Sequence, residues 1–153
     1  MVDPVWLIPL FVAFFASVWT GILTLASRMG GWARLASAYR CDGRFDGFRM
    51  RFASGEFRGG AFLGLPCNYG GCLTLGSNRD GMYLAVLLPF RPGHPALFIP
   101  WRDVTARVER GWLLTSVTFA FDRFSPVRLR VGRRLAERLI LATENSDTML
   151  IEQ

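Results

Sequence analysis

Residues 5–26 read VWLIPLFVAFFASVWTGILTLA, 22 positions without a charged side chain in a chain of 153. At about 1.5 Å of rise per residue, a helix over this run is roughly 33 Å long, close to a hydrocarbon thickness of about 30 Å, so the run predicts one bilayer crossing. A cleaved secretory signal is the rival reading. It needs a basic leading region, whereas MVDP offers only Asp3 and the amino terminus, and the apolar run exceeds the usual signal length. Pro9 falls in the first turn, where an amide donor has no intrahelical partner to lose.

The flanks set an expected orientation. No Arg or Lys precedes the run, while Arg28, Arg34, Arg40 and Arg44 follow it closely. Basic residues favour the cytoplasmic side, so the reading is a plasma (inner) membrane protein with its amino terminus outside and its carboxy-terminal bulk cytoplasmic. All 18 basic residues are Arg, and the net charge of +6 is unevenly placed. Residues 28–40 hold three Arg and no acid, whereas residues 41–153 hold 15 Arg against 11 acids. A basic segment beside a bilayer is drawn to anionic headgroups. A surplus of four charges spread over a whole domain is a weak nucleic-acid footprint, and no nucleic-acid partner is expected.

Within the run, Ala13, Ser17 and Gly21 stand four apart, and Ala16, Thr20 and Thr24 form a second stripe beside them. Small residues at this spacing let another helix approach closely. Ala13, Ser17, Gly21 and Thr24 are therefore candidate helix-packing positions, with Phe11, Phe14, Phe15, Val18 and Ile22 left to face lipid or fill a partner's grooves. A lone span also tolerates such residues without any partner.

After the run, SRMGGWARLASAYR (27–40) sets Trp32, Leu35, Ala36 and Tyr39 at helical spacing, flanked by Arg34 and Arg40. This short amphipathic helix either lies in the headgroup layer or packs on the following domain. Under the first choice Arg28, Trp32, Arg34 and Arg40 are the membrane-surface set. Gly30 and Gly31 allow a bend between the helices.

From about residue 44 the period changes from helical to alternating, the mark of half-buried strands. FRMRF (48–52) sets Phe48, Met50 and Phe52 against Arg49 and Arg51, and VTARVE (104–109) sets Val104, Ala106 and Val108 against Thr105, Arg107 and Glu109. VRLRV (127–131) repeats the pattern with Val127, Leu129 and Val131 against Arg128 and Arg130. Further strands are expected at Glu56–Leu63, Cys72–Gly76, Met82–Leu88, Ala96–Trp101 and Leu113–Phe121, separated by the turn compositions NYGG, SNRDG, RPGHP and ERGW. Seven or more short strands with no helix among them imply antiparallel connections. GRRLAERLILATE (132–144) then places Leu135, Ala136, Leu139, Ile140 and Ala142 along one stripe, so a helix should cover an open end of the sheet. The expected organisation is a transmembrane helix with a short outside segment (1–27), a juxtamembrane segment (28–43), a mainly-β domain of about seven antiparallel strands plus a carboxy-terminal helix (44–145), and a loosely held tail (146–153).

Candidate chemistry is sparse. His94 stands between Gly93 and Pro95 with no second histidine to complete a zinc or general-base arrangement. Cys67 and Cys72 are separated by four residues rather than the two of a redox or zinc-knuckle pair, and with Cys41 they read as reduced thiols. A thiol-dependent enzyme built on Cys67 or Cys72 would have only His94 as its base. The glycines of FRGGAFLGL and CNYGGC lack the Lys-Ser/Thr continuation of a phosphate cradle. Asp42, Asp46, Asp80, Asp103 and Asp122 occur singly at strand ends. No cofactor or metal is expected.

The stretch GCLTLGSNRDGMYLAVLLPFRPGHPALFIPWRDVTARVER (71–110) resembles the hairpin core of GRAM and pleckstrin-homology-like domains, with Leu97, Phe98, Ile99, Pro100, Asp103 and Val104 in the places of that pattern. The resemblance implies a strongly bent seven-stranded antiparallel sheet closed at one corner by the carboxy-terminal helix, serving as a lipid- or protein-binding module near membranes. The chain departs from inositide-binding members in having no lysine, though Arg49, Arg51 and Arg58 are present. The functional expectation is a non-catalytic accessory or assembly subunit that packs its span and cytoplasmic domain against a larger integral membrane protein or complex. An energy-transducing assembly is one host such a subunit would fit. The alternative is a surface module binding anionic lipid headgroups of the bilayer.

Overall fold

The computed structural model describes residues 4–59, 65–124 and 126–151, with side chains up to residue 143. A 3-10 turn at Pro4–Trp6 leads into helix α1, Leu7–Gly30, and together they form one rod long and apolar enough to cross a membrane. Gly31 ends the helix in the left-handed region at φ 88°, and a Cβ there would lie 2.8 Å from Val127 Cγ2. This one glycine therefore supplies both the turn and the close approach of the rod to the domain. Helix α2, Trp32–Tyr39, begins on its far side.

The two readings of α2 are resolved by burial. Trp32, Leu35 and Tyr39 are all buried and belong to the core of the β domain, while Arg34 and Ser37 lie on the exposed side. Trp32 thus leaves the membrane-surface set, because its ring is fully enclosed and its indole N–H donates to the Pro95 carbonyl at 2.9 Å. A boundary drawn at residue 44 would cut these three side chains from the core they complete.

Seven strands follow: β1 Phe48–Arg58, β2 Cys67–Ser77, β3 Gly81–Val86, β4 Leu97–Pro100, β5 Val104–Arg110, β6 Thr115–Phe121 and β7 Arg128–Gly132. They form one antiparallel sheet in the order β4-β3-β2-β1-β7-β6-β5. FRMRF and Glu56–Leu63, expected as separate strands, are joined in β1, and residues 60–63 of that expectation lie outside the described residues. The join carries two register shifts, between Met50 and Ala53 and between Ala53 and Gly55. Phe52 lies within the first of them at φ 59°, a costly conformation for a bulky residue. The bulge moves the inward face from even to odd positions, so Ala53, Gly55 and Phe57 are buried and Phe52, expected beside Phe48 and Met50, is 71% exposed. Beyond the bulge β1 pairs with both β2 and β7, which makes it the bend that joins the two halves of the sheet.

The core is built from both halves, with Leu73, Leu75, Met82, Leu84, Leu97 and Ile99 on one side and Phe57, Phe119, Phe121, Leu129 and Val131 on the other. Val127, Leu129 and Val131 are buried as their alternation predicts, with Arg128 and Arg130 on the opposite face. Edge strand β5 departs from its pattern: Val104 is half-buried, but Ala106 and Val108 are exposed because the strand projects beyond the core. Helix α3, Arg133–Ile151, covers the open end with Ala136 and Leu139, and Ser77 Oγ donates to the Leu139 carbonyl at 2.9 Å. It continues to Ile151 through the segment expected as a loose tail, and Ile140 of its expected stripe is 41% exposed.

Candidate functional site

The most elaborate polar and aromatic construction is the junction where the end of α1 meets residues 87–95. Leu87 begins this segment by donating its N–H to the Cys72 carbonyl at 2.9 Å, and Leu88–Phe90 form a 3-10 turn that Pro89 starts by fixing its backbone. The indole N–H of Trp19 donates to the Pro89 carbonyl at 2.8 Å, and its ring lies 5.7 Å from that of Phe90. Two turns further on, Ser27 Oγ donates to the Gly93 carbonyl at 2.5 Å. Gly93 has φ 72°, and a Cβ on it would come within 2.9 Å of Thr24 Cα. Three contacts, at Trp19, Thr24 and Ser27, thus lay the segment lengthwise along α1.

His94 is the pivot of the junction. Its ring is buried between Trp32 and Tyr69, at centroid distances of 5.3 Å and 5.5 Å. Nδ1 lies 3.0 Å from the Pro92 carbonyl, which can only accept, so Nδ1 carries the proton and Nε2 accepts from the Tyr69 hydroxyl at 2.7 Å. Burial holds its pKa below the usual histidine value, opposed in part by the Pro92 carbonyl. The ring has no free nitrogen to act as a base. Burial likewise pushes the Tyr69 hydroxyl up, and Tyr39, buried and donating to Asp103 Oδ2 at 3.0 Å, is pushed up to about 12.

The thiols lack the setting of a nucleophile. Burial raises the pKa of both Cys67 and Cys72, the reverse of what thiolate chemistry needs. Cys41 is half-buried, with its Sγ 3.8 Å from the Gly43 carbonyl. Among the described residues, no group of three or more His, Cys, Asp or Glu is placed to hold a metal ion.

The structure divides the expected small-residue stripe. Ala13, Ser17 and Gly21 are exposed, and a Cβ added at Gly21 would meet nothing within 4 Å. Ser17 and Thr24 return their hydroxyls to the carbonyls of Ala13 and Thr20, both at 2.8 Å, so neither hydroxyl needs a partner helix. Thr24 leaves the packing set, because Gly93 of the same chain already occupies the close approach it permits. Arg28, Arg34 and Arg40 are exposed; Arg40 pairs with Asp42 at 2.9 Å, and Arg28 and Arg34 have no ion pair among the described residues.

Two features escaped the sequence reading. Leu113 and Leu114, expected as strand, lie with Trp112 in the β5–β6 turn, where Trp112 is 97% exposed and Leu113 and Leu114 nearly as open. On the outer sheet face, Arg107, Thr118, Arg130 and Glu56 form one cross-strand row. Thr118 Oγ1 is buried there without a hydrogen-bond partner among the described residues. Beside it Arg107 and Thr118, with Thr105, Glu109, Asp122 and Arg128, line a shallow cavity of about 300 Å³. The arginines offer guanidinium donors for an anion, while Glu56, Glu109 and Asp122 oppose one, Glu109 lying 3.8 Å from Arg130.

No family model, curated protein or solved structure matches the chain. Its functional reading therefore rests on the geometry above.

Proposed function

We propose that the protein is a non-catalytic, single-pass membrane subunit whose α1 crosses the bilayer and whose pleckstrin-homology-like domain stands on the cytoplasmic side, both packing against a larger integral membrane protein. The observation that carries this reading is the junction. An apolar rod clamped to a folded domain at Trp19, Thr24 and Ser27 keeps one lateral face, Ala13, Ser17 and Gly21, open at a fixed rotation relative to the domain. In a bilayer, helices associate by close packing of such faces, since lipid removes the hydrophobic drive between them. The exposed Trp112–Leu113–Leu114 turn gives the domain an apolar contact of the kind that anchors an interface. The seven antiparallel strands, the bend in β1 and the covering α3 agree with the domain type that the hairpin-core stretch resembles.

The test is gentle detergent extraction of the tagged full chain, with identification of what co-purifies, alongside Gly21→Leu. Nothing in the chain itself lies near an added Cβ at Gly21, so this variant keeps its own fold while obstructing a partner helix. Loss of a stoichiometric companion on Gly21→Leu is the expected result. Migration of the unaltered protein as a lone monomer would contradict the proposal.

A second reading, binding of anionic headgroups, is favoured by the unpartnered Thr118 hydroxyl between Arg107 and Arg130, together with exposed Arg28 and Arg34. It predicts association with anionic vesicles that weakens steeply as salt rises.

A further inference from the structure

The segment Leu87–Phe90 carries a large apolar residue, Leu88, that is 75% exposed and has Trp19 of α1 as a neighbour of its own turn. Trp19 is not at the end of the apolar run. It lies nine residues before Arg28, the first charged position after the run, or about 13 Å along the helix axis. A headgroup layer is roughly 5–8 Å deep on each side, and a tilt of about 20° shortens the distance by less than a tenth. Even with Arg28 at the outer edge of the headgroups, the level of Trp19 is therefore beneath them. Helical side chains also lean toward the helix amino terminus, which carries the indole deeper still.

We infer that Leu88, Pro89 and Phe90 form a second membrane contact, a turn of the β domain that enters the leaflet beside α1 and meets lipid acyl chains. This rests on the reading that α1 spans the bilayer. Three carbonyls of the turn, Leu87, Leu88 and Pro89, are paired, which lowers the cost of a place without water, where unsatisfied polar groups are costly. The Leu87 carbonyl accepts from the Phe90 N–H at 2.9 Å, the Leu88 carbonyl from the Arg91 N–H at 3.2 Å, and the Pro89 carbonyl from Trp19 Nε1 at 2.8 Å. Pro89 has no N–H to satisfy. The Trp19 indole, which at this depth would otherwise lack an acceptor, has one supplied by the domain. Arg91 is exposed one position beyond the apolar trio and Arg28 is exposed on α1, and long arginine side chains of this kind can extend to a headgroup layer. The opposite side of α1 at the same level shows Val18, Ile22 and Leu25 exposed, so the rod and the turn present one continuous apolar belt. The consequence is mechanical: the domain is held against the bilayer by two elements, and its rotation about α1 is fixed.

The experiment places a photo-crosslinking aromatic residue at position 88, or separately at position 15, in the otherwise unaltered full chain. Each protein is reconstituted into vesicles of phosphatidylcholine and phosphatidylglycerol, irradiated, and analysed for lipid adducts by mass. Leu88 makes no enclosed contact, so the replacement leaves the thermal midpoint unchanged. Adducts on acyl chains at both positions are the expected result. Adducts at 15 with none at 88 overturn the inference and leave the spanning reading intact, whereas adducts at neither remove both. A crosslink from position 88 to another protein in native membranes, in place of lipid, also overturns it.

Discussion

Replacing Trp32 separates a domain-core role from a membrane-surface role by a large margin. Its ring is fully enclosed, lies 5.3 Å from Phe57 and 5.8 Å from Tyr69, and donates its N–H to Pro95. Trp32→Ala removes the ring and leaves a cavity, at about 3–5 kcal/mol for substitutions of this kind. Trp32→Phe keeps much of the volume but leaves the Pro95 carbonyl without its donor, at about 1–3 kcal/mol. For a domain of this size each kcal/mol lowers the midpoint by about 2–4 °C, so the alanine variant should melt about 6–20 °C below the parent. The assay is thermal unfolding of the full chain in mild detergent, followed by near-ultraviolet circular dichroism. A residue lying among headgroups would change the midpoint little, since surface substitutions stay within about 0.5 kcal/mol. A shift under 2 °C for Trp32→Ala would refute the reasoning that α2 completes the core.

Other consequences can be measured on the same protein. His94 is held neutral, its folded pKa below the unfolded value of about 6.5; the stability it contributes is complete above that pH and declines as pH falls through the window below it. Unfolding free energy should drop by up to about 1.4 kcal/mol per pH unit there, and His94→Gln should flatten the slope; an unchanged slope would remove His94 as its source. Thr118→Val removes a buried hydroxyl that has no partner, so stability should hold or rise by about 1 kcal/mol, and a loss of that size would mean the hydroxyl has an unseen partner. Dilute alkylating reagent at neutral pH should leave Cys67 and Cys72 of the folded protein unmodified, since burial raises both thiols; fast labelling of either would revive the thiol-enzyme reading.

Which parts of the molecule could be read from sequence follows from the range of the signals. The Val5–Ala26 rod was legible because length and absence of charge are local properties, and Val127, Leu129 and Val131 because burial on one sheet face imposes a period of two. Phe52 was misread because aromatic alternation runs unbroken through a bulge, while the backbone that reverses the faces leaves no mark in composition. Trp32 was ambiguous because an amphipathic helix shows the same stripe whether it lies on lipid or on a sheet. The junction was invisible because Trp19 meets Pro89 and Ser27 meets Gly93 across separations of 70 and 66 residues. Of the three adjoining apolar residues between Gly111 and Thr115, Trp112 was assigned to a turn, whereas Leu113 and Leu114 were absorbed into an expected strand.

Everything functional proposed here depends on α1 crossing a bilayer with the arginine-rich side, and the domain, in the cytoplasm. The most direct measurement places one small epitope tag before Met1 and another after Gln153, and treats intact cells with external protease. Loss of the leading tag with full protection of the trailing one is the predicted result. Protection of both, or cleavage of the trailing tag, would contradict the account.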